Sequence, residues 1–139
     1  MNAFDPEGWL EVAEVCCDRI PGVDGEALLR TALNRAYYAA LLAMRQRIEQ
    51  VHGVGVVPRA RTHAAILQAV KSGGSRFSRI YHALQRLREL REGADYVLRS
   101  PPLVWSTVHS QVATSRSLIR KDIKALHDAD VRRLKIPRS

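Results

Sequence analysis

The apolar positions of this chain recur at three- and four-residue intervals from one end to the other. The clearest run is Leu29, Leu33, Ala36, Tyr37, Ala40, Met44, Ile48 and Val51. It predicts one long helix, capped by Asp24 and ending near Val51. Ahead of it, Asp5-Pro6-Glu7 reads as an N-cap with proline at the first helical position, opening a helix to about Arg19 that Pro21-Gly22 breaks. The glycines and proline of HGVGVVPRAR mark a loop, and Thr62 is placed to cap a third helix through Lys71. SGGS marks a second loop. A fourth helix runs from about Phe77 toward Leu98 and is stopped by Pro101-Pro102. A fifth, from Leu103 to about Leu126, carries Trp105, Val108, Val112, Ile119, Ile123 and Leu126 on one stripe. Only GVGVV alternates in the manner of a strand, and weakly. The expected fold is therefore all-α, an up-down four-helix bundle with an additional N-terminal helix, in a single domain 1–139. Its core spans about 24–126, and the basic tail 127–139 is expected to be flexible.

Two helices depart from simple amphipathicity. Between Ala32 and Met44 the only charged or amide side chains are Asn34 and Arg35. Leu28, Ala32 and Ala39 make a second face apolar, so this helix is expected to be covered on two sides, in the middle of the bundle or at a dimer interface. A guanidinium set there needs an acid or a phosphate. In the fourth helix Phe77, Ile80, Leu84 and Leu87 define the core stripe, and helical spacing carries that stripe into Arg88, Arg91 and Asp95. Such charges destabilise unless paired. Either Asp95 pairs with Arg91 or Arg35 and the cluster only sets helix register, or Arg35, Arg88 and Arg91 line a polar cleft. Three arginines against one aspartate leave positive charge over, which favours the cleft.

The distribution of charge bears on what such a cleft would hold. Residues 1–26 carry seven acids and one base, net −6; the remainder carries 21 bases and seven acids, net +14, which gives the chain its +8. Only four of the bases are lysine. Arginine's planar fork suits phosphate, so the basic body fits nucleic acid or nucleotide phosphates, an acidic protein, or solvent alone. The acids of the first helix form a solvated face, or they pack on the basic body or a second subunit and shield it. Cys16 and Cys17, the only cysteines, are expected as reduced thiols. No apolar run approaches the roughly 18 residues that cross a bilayer, and MNAFDPEGW lacks the basic and apolar regions of a secretory signal. A cytoplasmic protein without membrane contact is expected. HExxH, CxxC, P-loop and GxSxG motifs are absent, and neither metal nor cofactor is expected.

NRAYYAALL (34–42), RTH (61–63) and LRELREGADY (87–96) follow one another in an order and spacing that resembles the HEPN superfamily. The likeness is to its compact bacterial and archaeal branch, with an [S/N]RAYYA helix, a basic residue before Thr-His, and an R-x-x-ADY helix, and it covers about 24–126. It implies a four-helix bundle that commonly dimerises. Many members are metal-independent RNases of toxin–antitoxin, CRISPR and abortive-infection systems; others bind nucleotides or serve as non-catalytic partners of small nucleotidyltransferases. The RNases use an arginine followed, after four to six residues, by a histidine, with two such sites facing each other across a dimer. The arginine stabilises phosphate charge, and the histidine acts as acid or base or positions the 2′-OH.

This chain departs from that pattern. Arg91 stands at the arginine's place, but Asp95 and Tyr96 stand where the histidine belongs. Arg45 or Arg47 with His52, Arg76 with His82, and Arg120 with His127 match the spacing literally, as eighteen arginines and five histidines would by chance. His63 is the better candidate, at a helix N-terminus whose amides can add to a phosphate site, unless it is only a first-turn residue bonded to a neighbour. The resemblance thus implies His63, Arg91 and Asp95 as catalytic residues and Arg35, Arg61 and Arg88 as phosphate contacts, with Asn34, Tyr38 and Tyr96 in support. Tyr37, on the core stripe, is structural; Tyr38 and Tyr96 pack, or stack on a base. The expected activity is that of an RNase or RNase-type toxin of a bacterial defence or toxin–antitoxin system, a homodimer binding RNA in a basic cleft. The alternative is a non-catalytic module that binds a nucleotide or pairs with a nucleotidyltransferase antitoxin or an effector complex.

Overall fold

The computed structural model describes residues 5–18, 22, 24–96 and 105–137, with the backbone alone at 94–96. Six α-helices are formed among them, and no strand. Helix α1, Pro6–Cys17, starts where the carboxylate of Asp5 accepts from the Glu7 amide at 3.1 Å. Helix α2, Gly25–His52, starts in the same way, with Asp24 accepting from Glu26, and stops at Gly53, whose φ of 115° a residue with a side chain rarely adopts. Helix α3 is Thr62–Ser72, α4 is Ser78–Tyr96 and α5 is Trp105–Ser117. A 3₁₀ turn, Gly74–Phe77, occupies the place where a loop was expected, and Phe77 enters the core from it. Thr62 does not cap α3. Its hydroxyl donates backwards to the carbonyls of Pro58 and Arg59, at 2.9 and 3.0 Å, because the preceding turn offers acceptors within reach.

Helix α2 is the centre of the bundle, in contact with α1, α4 and α5. Its alanines, Ala32, Ala36, Ala39 and Ala40, are fully buried and let those neighbours approach closely. Across one such contact the buried hydroxyl of Ser115 donates to the carbonyl of Ala36 at 2.7 Å, tying α5 to α2. Helix α5 continues into a π-helical turn, Leu118–Asp122, whose wider circuit lets Leu118, Ile119 and Ile123 all face inward. The acidic α1 lies against this basic segment, with Glu7 bonded to Arg120 at 3.1 Å and Glu14 beside Arg116 at 3.6 Å. Of the alternatives for those acids, packing on the chain's own basic body is the one formed. Cys16 and Cys17 are buried and unpaired, and burial pushes the Cys17 thiol up to about 11. Among the described residues no helix is long and apolar enough to cross a membrane.

Residues 127–137 are packed on the bundle, where a flexible tail is expected from the sequence. They form α6, Asp128–Arg132, and bury Val131 and Leu134. Arg47 donates to the Leu126 carbonyl at 2.8 Å and to the Asp128 carboxylate; His52 Nε2 meets the Val131 carbonyl at 2.8 Å; the Lys135 amide donates to the Ser72 hydroxyl at 2.9 Å. Val131 and Leu134 dock the segment, with Ile136 partly buried beside the core, although charges dominate its composition.

Candidate functional site

Tyr37 lies on the buried stripe of α2 and is wholly excluded from solvent. A buried hydroxyl needs a partner, and here it is Nδ1 of His63, 2.8 Å away in the first turn of α3. The two rings are nearly parallel, at 19°, and Tyr38 meets His63 edge-on with centroids 5.4 Å apart. From α4, Arg91 places its guanidinium 5.2 Å from the Tyr37 ring centroid and 5.5 Å from that of Tyr38, within cation–π range. One turn earlier Arg88 pairs with Glu92 at 2.9 Å. Arg61, His63, Arg88 and Arg91, with Ala60 and Ala64, line a concavity of about 310 Å³. A second hollow of about 400 Å³ adjoins it between α3 and α4, sharing Ala64 and Arg88 and lined further by Gln68, Lys71, Tyr81 and Gln85 and by the carboxylates Glu89 and Glu92.

The electrostatics follow from this packing. Burial holds His63 below its ordinary value near 6.5, and the charges of Arg91 and Arg88 hold it lower still, with Glu92 opposing them. The imidazole is neutral at neutral pH. Burial pushes the Tyr37 phenol up to about 12, against the pull of Arg88 and Arg91, so it keeps its proton. Arg61 is exposed and has no ion-pair partner among the described residues. The concavity is thus a positively charged hollow with a neutral histidine in its wall, which suits a phosphate.

Of the residues singled out from the sequence, His63, Arg61, Arg88 and Arg91 are brought together, and Tyr38 packs beside them. Arg35 is not among the lining residues. It lies over the Trp9 ring of α1, 4.5 Å from the centroid, and donates to the side-chain oxygen of its neighbour Asn34 at 3.2 Å. Trp9 in turn meets Tyr38 with centroids 5.7 Å apart, so Arg35 borders the site only through two aromatic rings. The side chains of Asp95 and Tyr96 lie outside the described residues. The arginines of the literal arginine–histidine spacings are each engaged by a carboxylate: Arg45 by Glu49, Arg47 by Asp128, Arg76 by Asp130 and Arg120 by Glu7. Tyr37, expected to be purely structural, bonds His63, and Glu92, which no sequence pattern singles out, pairs with Arg88. A tyrosine on a core stripe is itself a signal, since its hydroxyl must find a buried partner, but its spacing does not say which.

No family model and no solved structure matches the chain. It is similar to an uncharacterized protein of Methanocaldococcus jannaschii, 33% identical over 94 residues, a match taking in 58% of this chain. The chain spans 57% of the length of that relative.

Proposed function

We propose that this chain is a HEPN-like ribonuclease or RNase-type toxin of a bacterial defence or toxin–antitoxin system, acting in the cytoplasm as a homodimer that binds RNA phosphate between α3 and α4. The observation that carries the reading is a neutral His63 set in one concavity with Arg61, Arg88 and Arg91. Cleavage of RNA by its own 2′-OH needs no metal, because the nucleophile is internal and charge develops on phosphate oxygens that such groups can stabilise. The adjoining hollow, with Tyr81 and Lys71 in its lining and Glu89 and Glu92 along its α4 side, gives the strand room beyond the phosphate. The likeness of the NRAYYA, RTH and RxxADY segments to HEPN proteins supports the same reading. The test is incubation of the full chain with structured and unstructured RNA in excess chelator, with analysis of the product ends. Cleavage leaving 2′,3′-cyclic phosphate, lost in Arg91→Ala and in His63→Ala, is expected. No cleavage, or cleavage that both variants retain, refutes the catalytic claim.

A second reading is a non-catalytic module that binds a nucleotide or pairs with a nucleotidyltransferase or effector complex. It is favoured by the absence of a histidine four to six residues after Arg91, where Asp95 and Tyr96 stand. Thermal shift with nucleoside mono-, di- and triphosphates separates the two: stabilisation by a nucleotide without RNA cleavage supports this one.

A further inference from the structure

The hydroxyl of Tyr37 and Nδ1 of His63 lie 2.8 Å apart, and which of them donates decides what His63 can offer a ligand. A neutral imidazole carries one N–H. If Nδ1 carried it, the bond would run from His63 to the tyrosine oxygen, and the tyrosine hydrogen would need another acceptor. Tyr37 is 0% exposed, so bulk water supplies none. Among the described residues its hydroxyl makes no other hydrogen bond. An orphaned buried O–H weights the balance against that tautomer by roughly tenfold or more. Resting on the phosphate-binding reading above, we infer that Tyr37 is a positioning residue: its hydroxyl donates to Nδ1, fixes His63 as the Nε2–H tautomer, and makes His63 a neutral hydrogen-bond donor to an anionic phosphate oxygen.

Nδ1 is turned to the core, so Nε2, across the ring, is turned toward the concavity that His63 lines. The groups around the ring keep it neutral. Helix α2 contributes Tyr37 and Tyr38, α4 contributes Arg88, Arg91 and Glu92, and Arg61 flanks it in the chain. The guanidiniums of Arg91 and Arg88 oppose a further positive charge, and Glu92, which favours it, is paired with Arg88. Protonating Nδ1 would also reverse the bond and strand the Tyr37 hydrogen in the core. Proton donation from Nε2 is equally disfavoured. It would leave an imidazolate, or a buried phenolate at Tyr37, whose pKa burial already pushes up to about 12. His63 therefore keeps its N–H throughout. As the 2′-oxygen forms its bond to phosphorus and the P–O5′ bond breaks, water takes the 2′ proton and supplies the O5′ proton. The ring, with the arginines, holds the phosphate oxygens.

The free full-length chain, labelled with ¹⁵N-histidine, reports the tautomer directly. Long-range ¹H–¹⁵N correlation at neutral pH is expected to show Nδ1 of His63 as the unprotonated nitrogen; a protonated Nδ1 overturns the inference. Binding of an uncleavable probe, a fluorescein-labelled 2′-O-methyl oligouridine, is then followed by polarization from about pH 6 to 8. Affinity is expected to stay within about twofold across that range; a fall of roughly tenfold as an imidazolium deprotonates overturns the donor role. His63→Ala is expected to lose roughly tenfold in affinity, and His63→Gln, which restores a neutral N–H but moves no proton, to recover most of it. Equal losses in both variants also overturn the donor role. A wild-type chain that binds the probe at no pH overturns the phosphate reading itself, and the tautomer, read in the free protein, keeps the two failures apart.

Discussion

Deleting residues 127–139 is expected to bring the domain close to unfolding, although composition alone marks the segment as a solvated tail. Val131 is wholly buried and Leu134 is 3% exposed. Burying an aliphatic side chain of this size stabilises by about 1.5–3 kcal/mol, so the two together contribute about 3–6 kcal/mol. The polar contacts add less. Asp128 is 68% exposed in its pair with Arg47, and Arg76 is 69% exposed in its pair with Asp130, so screening leaves either pair little net worth. Set against a total of about 5–15 kcal/mol for a domain of this kind, the loss is large. The single substitution Leu134→Ala isolates the packing component. It should cost about 2–5 kcal/mol, because the notch walled by Gly73 and Phe77 cannot close around an alanine. Urea unfolding followed by helical circular dichroism measures both, with Arg132→Ala, an exposed position on the same short helix, as the control. The truncated chain should show a lower midpoint and also a smaller m-value, since less surface is exposed on unfolding. A truncated chain with unchanged midpoint and slope would refute the docking of α6.

Gly73→Ala meets the same notch from the other side. The backbone φ of −76° accommodates alanine, but its Cβ would stand 2.7 Å from Leu134 Cδ2 and closer still to the Phe77 ring, so a loss of about 1–3 kcal/mol is expected in the same urea assay; an unchanged midpoint would refute that packing. Arg91→Ala should weaken RNA binding and lower the slope of log affinity against log salt by about 0.7, the share of one phosphate contact on a single strand; a slope equal to that of the wild type removes Arg91 from the phosphate site. The pH dependence of stability carries the mark of His63. Its folded-state pKa is lowered, so below its ordinary value near 6.5 the unfolded chain binds more protons than the folded one. The contribution is fully present above that value and is lost as pH falls toward the lowered folded value. His63→Gln should flatten the fall in urea midpoint over that interval, and a variant with the same pH dependence as the wild type would show that another group is responsible.

The helices legible in the sequence are those in which local and global signals coincide. Asp5 and Asp24 stand before apolar runs of helical period, and both carboxylates accept from the amide two residues on. In the segment that holds α6 the signals conflict. Val131 in the helix and Leu134 just beyond it are embedded among Asp128, Asp130, Arg132 and Arg133, and five helical residues are too few for a period to show. What docks it is supplied by α2, α3 and the 3₁₀ turn, from Arg47, His52, Ser72 and Arg76, and no local pattern announces contacts that distant in the chain.

The same division runs through NRAYYA. Periodicity says that Arg35 is set into a helix apolar on two faces, and electrostatics says that a buried guanidinium needs compensation. The expectation that the compensation is an acid or a phosphate does not hold here. Arg35 is satisfied by the face of Trp9 and the amide oxygen of Asn34, and this assigns it to the α1 side of the helix. Tyr37 and Tyr38, two and three residues on, turn to His63 and Arg91 instead. One turn of α2 therefore faces two neighbours of different kind. Its first pair of polar residues fastens the N-terminal helix, and its tyrosines hold the wall of the concavity. Tyr38 touches both sets, meeting Trp9 on one side and His63 and Arg91 on the other, so a single ring joins the packing of α1 to the wall of the site.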